Sequence, residues 1–571
     1  MGENVEFEML FDQFNLLMDA KGSVPKLREL ILQLAVQGKL VPQDPNDEPA
    51  SELLKRIEVE KAQQVKEGKI KRSKPLPPIA ADDVPYDVPG GWQWVMISEL
   101  MPEFQNGCSR RKSTDDGGID TIVLRLADIT NGKVSPENPR KIKLTDSEIK
   151  QYQLKEGDVL ITRVNGSIDL VGSFIPVTGN EKFTYCDHFI RMRTDTSTVH
   201  IPYLTYAGRS LLLRDQIRKK FLTTAGQKTI NQRHISTMII PLPPRAEQSR
   251  IAAKVNQLMS LCNELEAQQA KAAEKRNRLV ASAVDKLLSA ADAEMFAARW
   301  QLVAEHFDLL FDTPEHVDTL RSAILQLAVQ GKLVRQDPRD EPASALLKRI
   351  QVEKQRLVEE GKIKRSKPLP PIREGDVPYE LPTGWEHTRL GDIALVLMGN
   401  SPPGATYTYE RKGAPLINGP VEFGPNPFSE TIINKFTTAP TKMCKKGDLL
   451  LCVRGSTGRT NIAGFDACIG RGVAAIQSLS YQGYLNWFIL ASRQKIYNLG
   501  TGSTFPSVSY DKIVNLPYPL PPTAEQKRIV AKVDQLMTLC DELEGRLKAS
   551  QNAGETLMAA VVRQVTEPTH A

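Results

Sequence analysis

Apolar positions along the chain follow two different periods. Leu27, Leu30, Ile31 and Leu34 fall at i, i+3, i+4 and i+7, the spacing of one helix face, and Gly38 is placed to close that helix. A turn of the form PNDEPAS follows, after which Leu53, Leu54 and Ile57 mark the inward face of a second helix. Much further on, Ile251, Val255, Leu258, Cys262 and Leu265 are spaced 4, 3, 4, 3, and Ile529, Val533, Leu536, Cys540, Leu543 and Leu547 continue likewise. Those alternating steps predict a coiled-coil seam, with both cysteines buried as small apolar residues. Pro244 and Pro522 stand just before these helices, where a missing N–H costs nothing, and Thr523 with Gln526 has the spacing of a capping box. Elsewhere the period shortens. GDVLITRVNGSIDLVGSFIPV (157–177) predicts strand, turn, strand, and GDLLLCVRGSTGRTNIAGF (447–465) shares the plan, with turns at Gly166-Ser167 and Gly455-Ser456.

The helical pattern occurs twice, and the repeat organises the chain. LRELILQLAVQGKLVPQDPNDEPASELLKRI (27–57) returns as LRSAILQLAVQGKLVRQDPRDEPASALLKRI (320–350), and the match runs on through GKIKRSKPLPPI (68–79 and 361–372) to Trp92 and Trp385. A second repeat pairs IIPLPPRAEQSRIAAKVNQLMSLCNELE (239–266) with PYPLPPTAEQKRIVAKVDQLMTLCDELE (517–544). The segments between, about 93–238 and 386–516, differ in length and are largely unlike each other. The plan is scaffold, variable, scaffold, scaffold, variable, scaffold. The basic, Pro-rich KIKRSKPLPPI stretch reads as an extended link into each variable block.

Length and composition agree with several soluble packed units. The chain has 571 residues, 41% of them hydrophobic and 25% charged, without an apolar run of the roughly 18 residues that a membrane span needs. The acidic start MGENVEFEMLFDQF is unlike a signal peptide, so a cytoplasmic location follows. Seven scattered cysteines, with no CxxC pair and no histidine at ligand spacing, support neither zinc nor a disulfide frame. The net charge of +6 is unevenly placed: residues 93–245 carry 22 Lys/Arg against 16 Asp/Glu, and residues 386–523 carry 13 against 8. Two separate basic blocks are what two phosphate-facing surfaces require.

The polar turns of those blocks carry side chains suited to reading base edges: Arg and Lys for guanine, Asn and Gln for adenine, Ser and Thr for base edges or phosphate. The first block offers Arg163, Asn165, Ser167, Gln227, Lys228, Asn231 and Arg233. In the second the residues are Arg454, Ser456, Thr457, Arg459, Asn461, Ser503 and Thr504. The competing reading is that Asn, Gly and Ser simply form turns and Arg sits on the surface.

No active site emerges beside them. Asn515-Leu-Pro-Tyr518 lacks the first proline of the adenine-methyltransferase motif, Gly500-Thr-Gly502 lies too close before it to be a cofactor turn, and the first copy keeps neither. GQKT (226–229) lacks the earlier glycine of a phosphate loop. In the acidic turn, Glu52 becomes Ala345 in the copy. Neither a Ser-His-Asp set nor a metal-ligand cluster can be argued from seven dispersed histidines. A long chain with no chemical centre reads as a binder.

Paired variable domains, each entered through a GKLVPQ-type helical element and left through PLPPRAEQ (241–248) or PLPPTAEQ (519–526) into a heptad helix, resemble the specificity subunit of type I restriction-modification systems over nearly the whole chain. The resemblance implies an α+β fold with an internal pseudo-twofold repeat. Two mixed α/β target-recognition domains, residues 93–245 and 386–523, would be joined by long antiparallel coiled-coil helices. The scaffold would comprise residues 1–92, 246–385 and 524–571. It also implies a non-catalytic subunit that binds a bipartite, asymmetric site on double-stranded DNA, with half-sites about one turn, 10–10.5 bp, apart. Two modification (methyltransferase) subunits and restriction (translocase/nuclease) subunits would be its partners. S-adenosylmethionine and ATP would then sit on those partners, and this chain would bind no cofactor and no metal. A self-contained DNA adenine methyltransferase and a non-catalytic coiled-coil adaptor without sequence preference are the rival readings.

Overall fold

A computed structural model describes residues 23–68, 78–110, 118–179, 182–224, 226–365, 367–373, 375–376, 379–501 and 506–566. The chain divides into two compact units, residues 1–271 with 551–571, and residues 272–550. Both are α+β, and the same parts recur in each. Among the described residues no helix is long and apolar enough to cross a membrane.

In the first unit the periodic segment forms the helix Ser23–Val36, with Leu27, Leu30, Ile31 and Leu34 all buried. It packs on the seam predicted as a coiled coil: Ile251, Val255, Leu258 and Cys262 share one core with it and with Trp92 and Tyr203. The seam residues belong to Arg245–Leu288, a helix of 44 residues. In the second unit Pro314–Val329 replaces Ser23–Val36, and Ile529, Val533, Leu536, Cys540 and Leu543 of the 44-residue helix Thr523–Thr566 share the core with Leu320, Ile324, Leu327, Trp385 and Tyr484. Burial raises the thiols of Cys262 and Cys540, the latter to about 11, which keeps them protonated and inert.

The capping box at Thr523 does not form. Pro522 takes the cap position, since its fixed φ suits the first turn and its carbonyl accepts the Gln526 N–H at 2.9 Å. The Gln526 side chain is held instead by the Pro521 carbonyl and the Ser480 hydroxyl.

Each variable domain is entered and left through one antiparallel ribbon, Gln93–Met96 with Ile239–Leu242 in the first unit and Glu386–Arg389 with Pro517–Leu520 in the second. Beyond it, the four-stranded antiparallel sheet of the first domain runs Glu103–Asn106, Phe189–Arg193, Val159–Thr162, Phe174–Pro176. The second domain repeats that order with Ala394–Met398, Val473–Ser478, Leu449–Cys452 and Thr460–Ile462. Each domain also has a parallel pair, Ile119–Leu124 with Thr184–Tyr185 and Ala414–Ile417 with Ala467–Ile469. The fully buried strands VLIT and LLLC follow from a sheet covered on both faces. Val159 and Ile161 point into one core and Leu160 into another, and Leu449 and Leu451 are divided from Leu450 and Cys452 in the same way.

Candidate nucleic-acid interface

The repeated junction motifs anchor each variable domain to its scaffold. The indole N–H of Trp92 donates to Glu247 at 3.0 Å, and that of Trp385 donates to Glu525 at 3.0 Å. These glutamates are the Glu of the two PLPPxAEQ junctions. The adjacent Gln248 donates to the Pro243 carbonyl and accepts the His200 N–H, tying the junction to the helix Ile201–Arg209. Each tryptophan also meets a buried tyrosine edge-on, Trp92 with Tyr203 and Trp385 with Tyr484. Asp47 and Asp340, which the sequence suggested only as turn residues, pair with Arg250 and Arg528 on the long helices. Gly38 and Gly331 lie at φ +71° and +70°, and a Cβ there would stand 2.4 and 2.5 Å from Pro89 and Pro382. The glycine therefore both closes its helix and lets the segment from Pro89 to Trp92, or from Pro382 to Trp385, pass.

On that support the first domain gathers most of its candidate side chains. Val164–Asn165, Gln227–Thr229 and Leu222–Thr224 form a three-stranded ribbon with Asn165 opposite Lys228. The Lys228 ammonium donates to the Gly166 carbonyl at 2.8 Å, and the Asn165 side chain accepts the Ser167 N–H, which fixes the turn between them. Arg163 is half-buried behind the turn and donates to the Asp187 carbonyl. Asn231 caps the short helix Gln232–Ser236 by accepting the His234 N–H, whereas Arg233 is exposed. Burial, Lys220 and Arg233 together lower the His234 pKa, so that imidazole is neutral at pH 7 beside a positive surface. Leu170 is exposed in the turn that follows Ser167, and Leu222 on the ribbon. Sequence reasoning missed them because it looked for polar readers, yet apolar contact suits a thymine methyl.

The second domain keeps only part of its candidate set at the surface. Arg454 and Ser456 are exposed, beside Gly455 at φ +71°. Arg459 is half-buried, near the Gly424 carbonyl. Thr457 and Asn461 are corrected by the structure. Thr457 is buried and donates to the Pro506 carbonyl at 2.6 Å, while Asn461 is fully buried, donating to the Asn426 carbonyl and accepting the Gly424 N–H. Their polarity serves backbone groups of the fold, so they are not available to a base. Ser503 and Thr504 lie outside the described residues. A groove of about 1150 Å³ adjoins the loop, bordered by Ser456, Arg459, Arg493 and Lys495 on the domain side and by Arg321 and Gln326 of the scaffold helix.

The rejected catalytic fragment has a structural role. Asn515 accepts from Arg389 through its carbonyl, and Tyr518 is buried against Tyr484 and Phe488. Among the described residues one set of metal-type donors converges, Cys186, Asp187 and His188. The sequence reading passed over it because a lone Cys-x-His lacks the second pair that marks a zinc motif.

Residues 89–275 and 382–550 each match the family model described as the type I restriction modification DNA specificity domain. The chain is 35% identical to the type I restriction enzyme EcoAI specificity subunit of Escherichia coli, with 92% of this chain and 91% of that protein covered. It is 33% identical to the EcoEI specificity subunit of Escherichia coli, with the same shares covered. A solved structure from work on assembly and conformational transition of the type I R-M system covers 85% of this chain and 99% of its own, at 22% identity and a TM-score of 0.51, a likeness of fold.

Proposed function

Because the chain belongs to the type I restriction-modification DNA specificity family, and is thus a non-catalytic specificity subunit, we propose that its two recognition domains each read one half of a bipartite, asymmetric DNA site. The observation that carries this reading is the pair of matched segments: one sheet order and one junction appear twice, while the loops they present differ. A shared frame with unlike loops suits two unlike half-sites. Arg163, Asn165, Ser167, Gln227, Lys228, Asn231 and Arg233 face one half, and Arg454, Ser456 and Arg459 the other.

Two modification subunits are the partners that a duplicated scaffold suits. Supporting this, exposed apolar residues recur at equivalent positions of the two copies: Val59 with Val352, Leu261 with Leu539, and Leu279 with Leu557. S-adenosylmethionine and the adenine chemistry belong to those subunits in this reading, and ATP to the restriction subunits.

Exchange of residues 93–238 for the equivalent block of a relative, followed by sequencing of methylated adenines in cells that also supply the modification subunits, tests the proposal. One half of the recognised site should change and the other persist. A change in both halves, or in neither, refutes modular reading, and methylation by the chain without partners refutes the division of labour.

A further inference from the structure

The two recognition domains cross the same backbone frame with different chemistry at one turn. In the second domain the turn is Gly470-Arg471-Gly472, held where the Gly399 N–H donates to Val473 and the Asn400 N–H to Ile469, both at 2.9 Å. In the first domain Gly107 donates to Phe189 at 3.1 Å and Cys108 to Tyr185 at 2.9 Å, and the turn between them is Cys186-Asp187-His188. The frame thus closes with two glycines and an arginine, so nothing in the backbone calls for a thiol, a carboxylate and an imidazole there. All three are typical metal ligands.

Their geometry suits one ion. The thiol, carboxylate and imidazole donor atoms lie within 4.8 Å of one another, and Cys186 Sγ stands 3.6 Å from His188 Nδ1. A zinc ion with Zn–S of about 2.3 Å and Zn–N of about 2.0–2.1 Å, arranged tetrahedrally, places sulfur and nitrogen about 3.5 Å apart. The turn is also rigid. The Cys186 N–H donates to Leu124, Asp187 to Cys108, and Phe189 to Cys186. Gly107 runs so close that a Cβ there would meet the Cys186 carbonyl at 2.1 Å. Donors fixed in advance lose little freedom on binding.

We propose that Cys186, Asp187 and His188 form a zinc-type divalent cation site in the first recognition domain, with no counterpart at the equivalent turn Gly470-Arg471-Gly472 of the second. The Cys186 thiol gives up its proton to solvent as the ion binds, so affinity falls with acid. Soft sulfur with imidazole nitrogen selects Zn²⁺ or Co²⁺ over Mg²⁺ or Ca²⁺. The ion clamps the turn whose carbonyls hold a DNA-facing candidate: the Arg163 N–H donates to the His188 carbonyl at 2.7 Å, and its guanidinium donates to the Asp187 carbonyl at 3.3 Å.

The test is a titration of the full-length chain, freed of metal by dialysis against a chelator, with Co²⁺, followed by the thiolate-to-cobalt charge-transfer band and the d–d bands of a tetrahedral centre. One equivalent should saturate both, Zn²⁺ should displace it, and Mg²⁺ should not. Cys186→Ser should abolish the charge-transfer band, His188→Asn should weaken binding at least tenfold, and Cys262→Ser should leave both unchanged. The double variant C186G/H188G takes the glycines of the second domain's turn, so it should keep the circular dichroism of the parent while binding no cobalt. Absence of a charge-transfer band in the parent, or a band that survives Cys186→Ser, overturns the proposal. A Sγ-to-imidazole hydrogen bond then accounts for the contact.

Discussion

Replacing Glu525 by Gln should make the protein more stable above neutral pH and flatten the pH dependence of its stability. Burial pushes the Glu525 carboxyl from its ordinary 4.5 up to about 7, against the opposing pull of the Trp385 indole N–H and the Arg528 guanidinium. A group whose folded-state pKa lies above its unfolded value binds more protons when folded. Its contribution is therefore fully present below pH 4.5 and is lost as pH rises through 7. A shift of this size corresponds to about 3 kcal/mol between those limits, at 1.36 kcal/mol per unit. Glutamine keeps a carbonyl oxygen for the Trp385 indole but cannot ionise. Denaturant titrations of the parent and Glu525→Gln from pH 4.5 to 8.5 should thus agree within about 1 kcal/mol at the acid end and diverge toward alkali, with the variant ahead. Glu247, raised for the same leading reason in the first unit, should behave alike. Curves that stay parallel across the range, or a variant weaker at pH 8, would refute the account of a carboxylate buried at a cost.

Other expectations follow from single positions. Gly331→Ala should destabilise by about 1–3 kcal/mol, because its backbone is left-handed and Pro382 stands in the way; Gly361→Ala, at φ +68° with nothing within 4 Å, should cost less in the same melting experiment. Asn461→Ala should lower stability by about 1–3 kcal/mol through the groups of Gly424 and Asn426 it leaves unpaired. Arg454→Ala should leave the melting curve alone but weaken specific DNA binding by about 1–3 kcal/mol in competition assays with the partner subunits present. Seven residues inserted after Glu266 should alter the spacing between methylated half-sites without altering their sequences, as sequencing of modified DNA will show.

Much of the fold was legible because its signals are periodic or repeated. Leu27 to Leu34 and Ile251 to Cys262 declare helix faces, and the duplication itself marks what belongs to the scaffold. The sequence hid which groups complete those faces. Nothing local to Trp92 points to Glu247, 155 residues away, or ties Asp47 to Arg250. Asn461 and Thr457 were misread for a related reason. A polar residue in a Gly-rich turn has the same appearance in sequence whether it meets a base or a buried carbonyl, and only burial separates the two. The Cys186-to-His188 turn escaped for want of a second ligand pair, although comparison with Gly470-Arg471-Gly472 on the repeated frame exposes it.

That comparison also indicates how one fold can present two unlike surfaces. The bonds that hold the two frames in common are chiefly backbone to backbone, as at Gly107 and Gly399, or lie in the junction, as at Trp92 and Trp385. Neither kind depends on the exposed side chains carried at Gln227, Arg233, Arg454 or Ser456. Exposed substitutions of that sort usually change stability by less than about 0.5 kcal/mol, whereas a direct base contact discriminates by about 1–3 kcal/mol. Loop side chains can therefore change what is read at little cost to what is folded. The exceptions should be the loop residues turned inward, Thr457 and Asn461, and these should resist exchange between relatives even though they sit among the proposed readers.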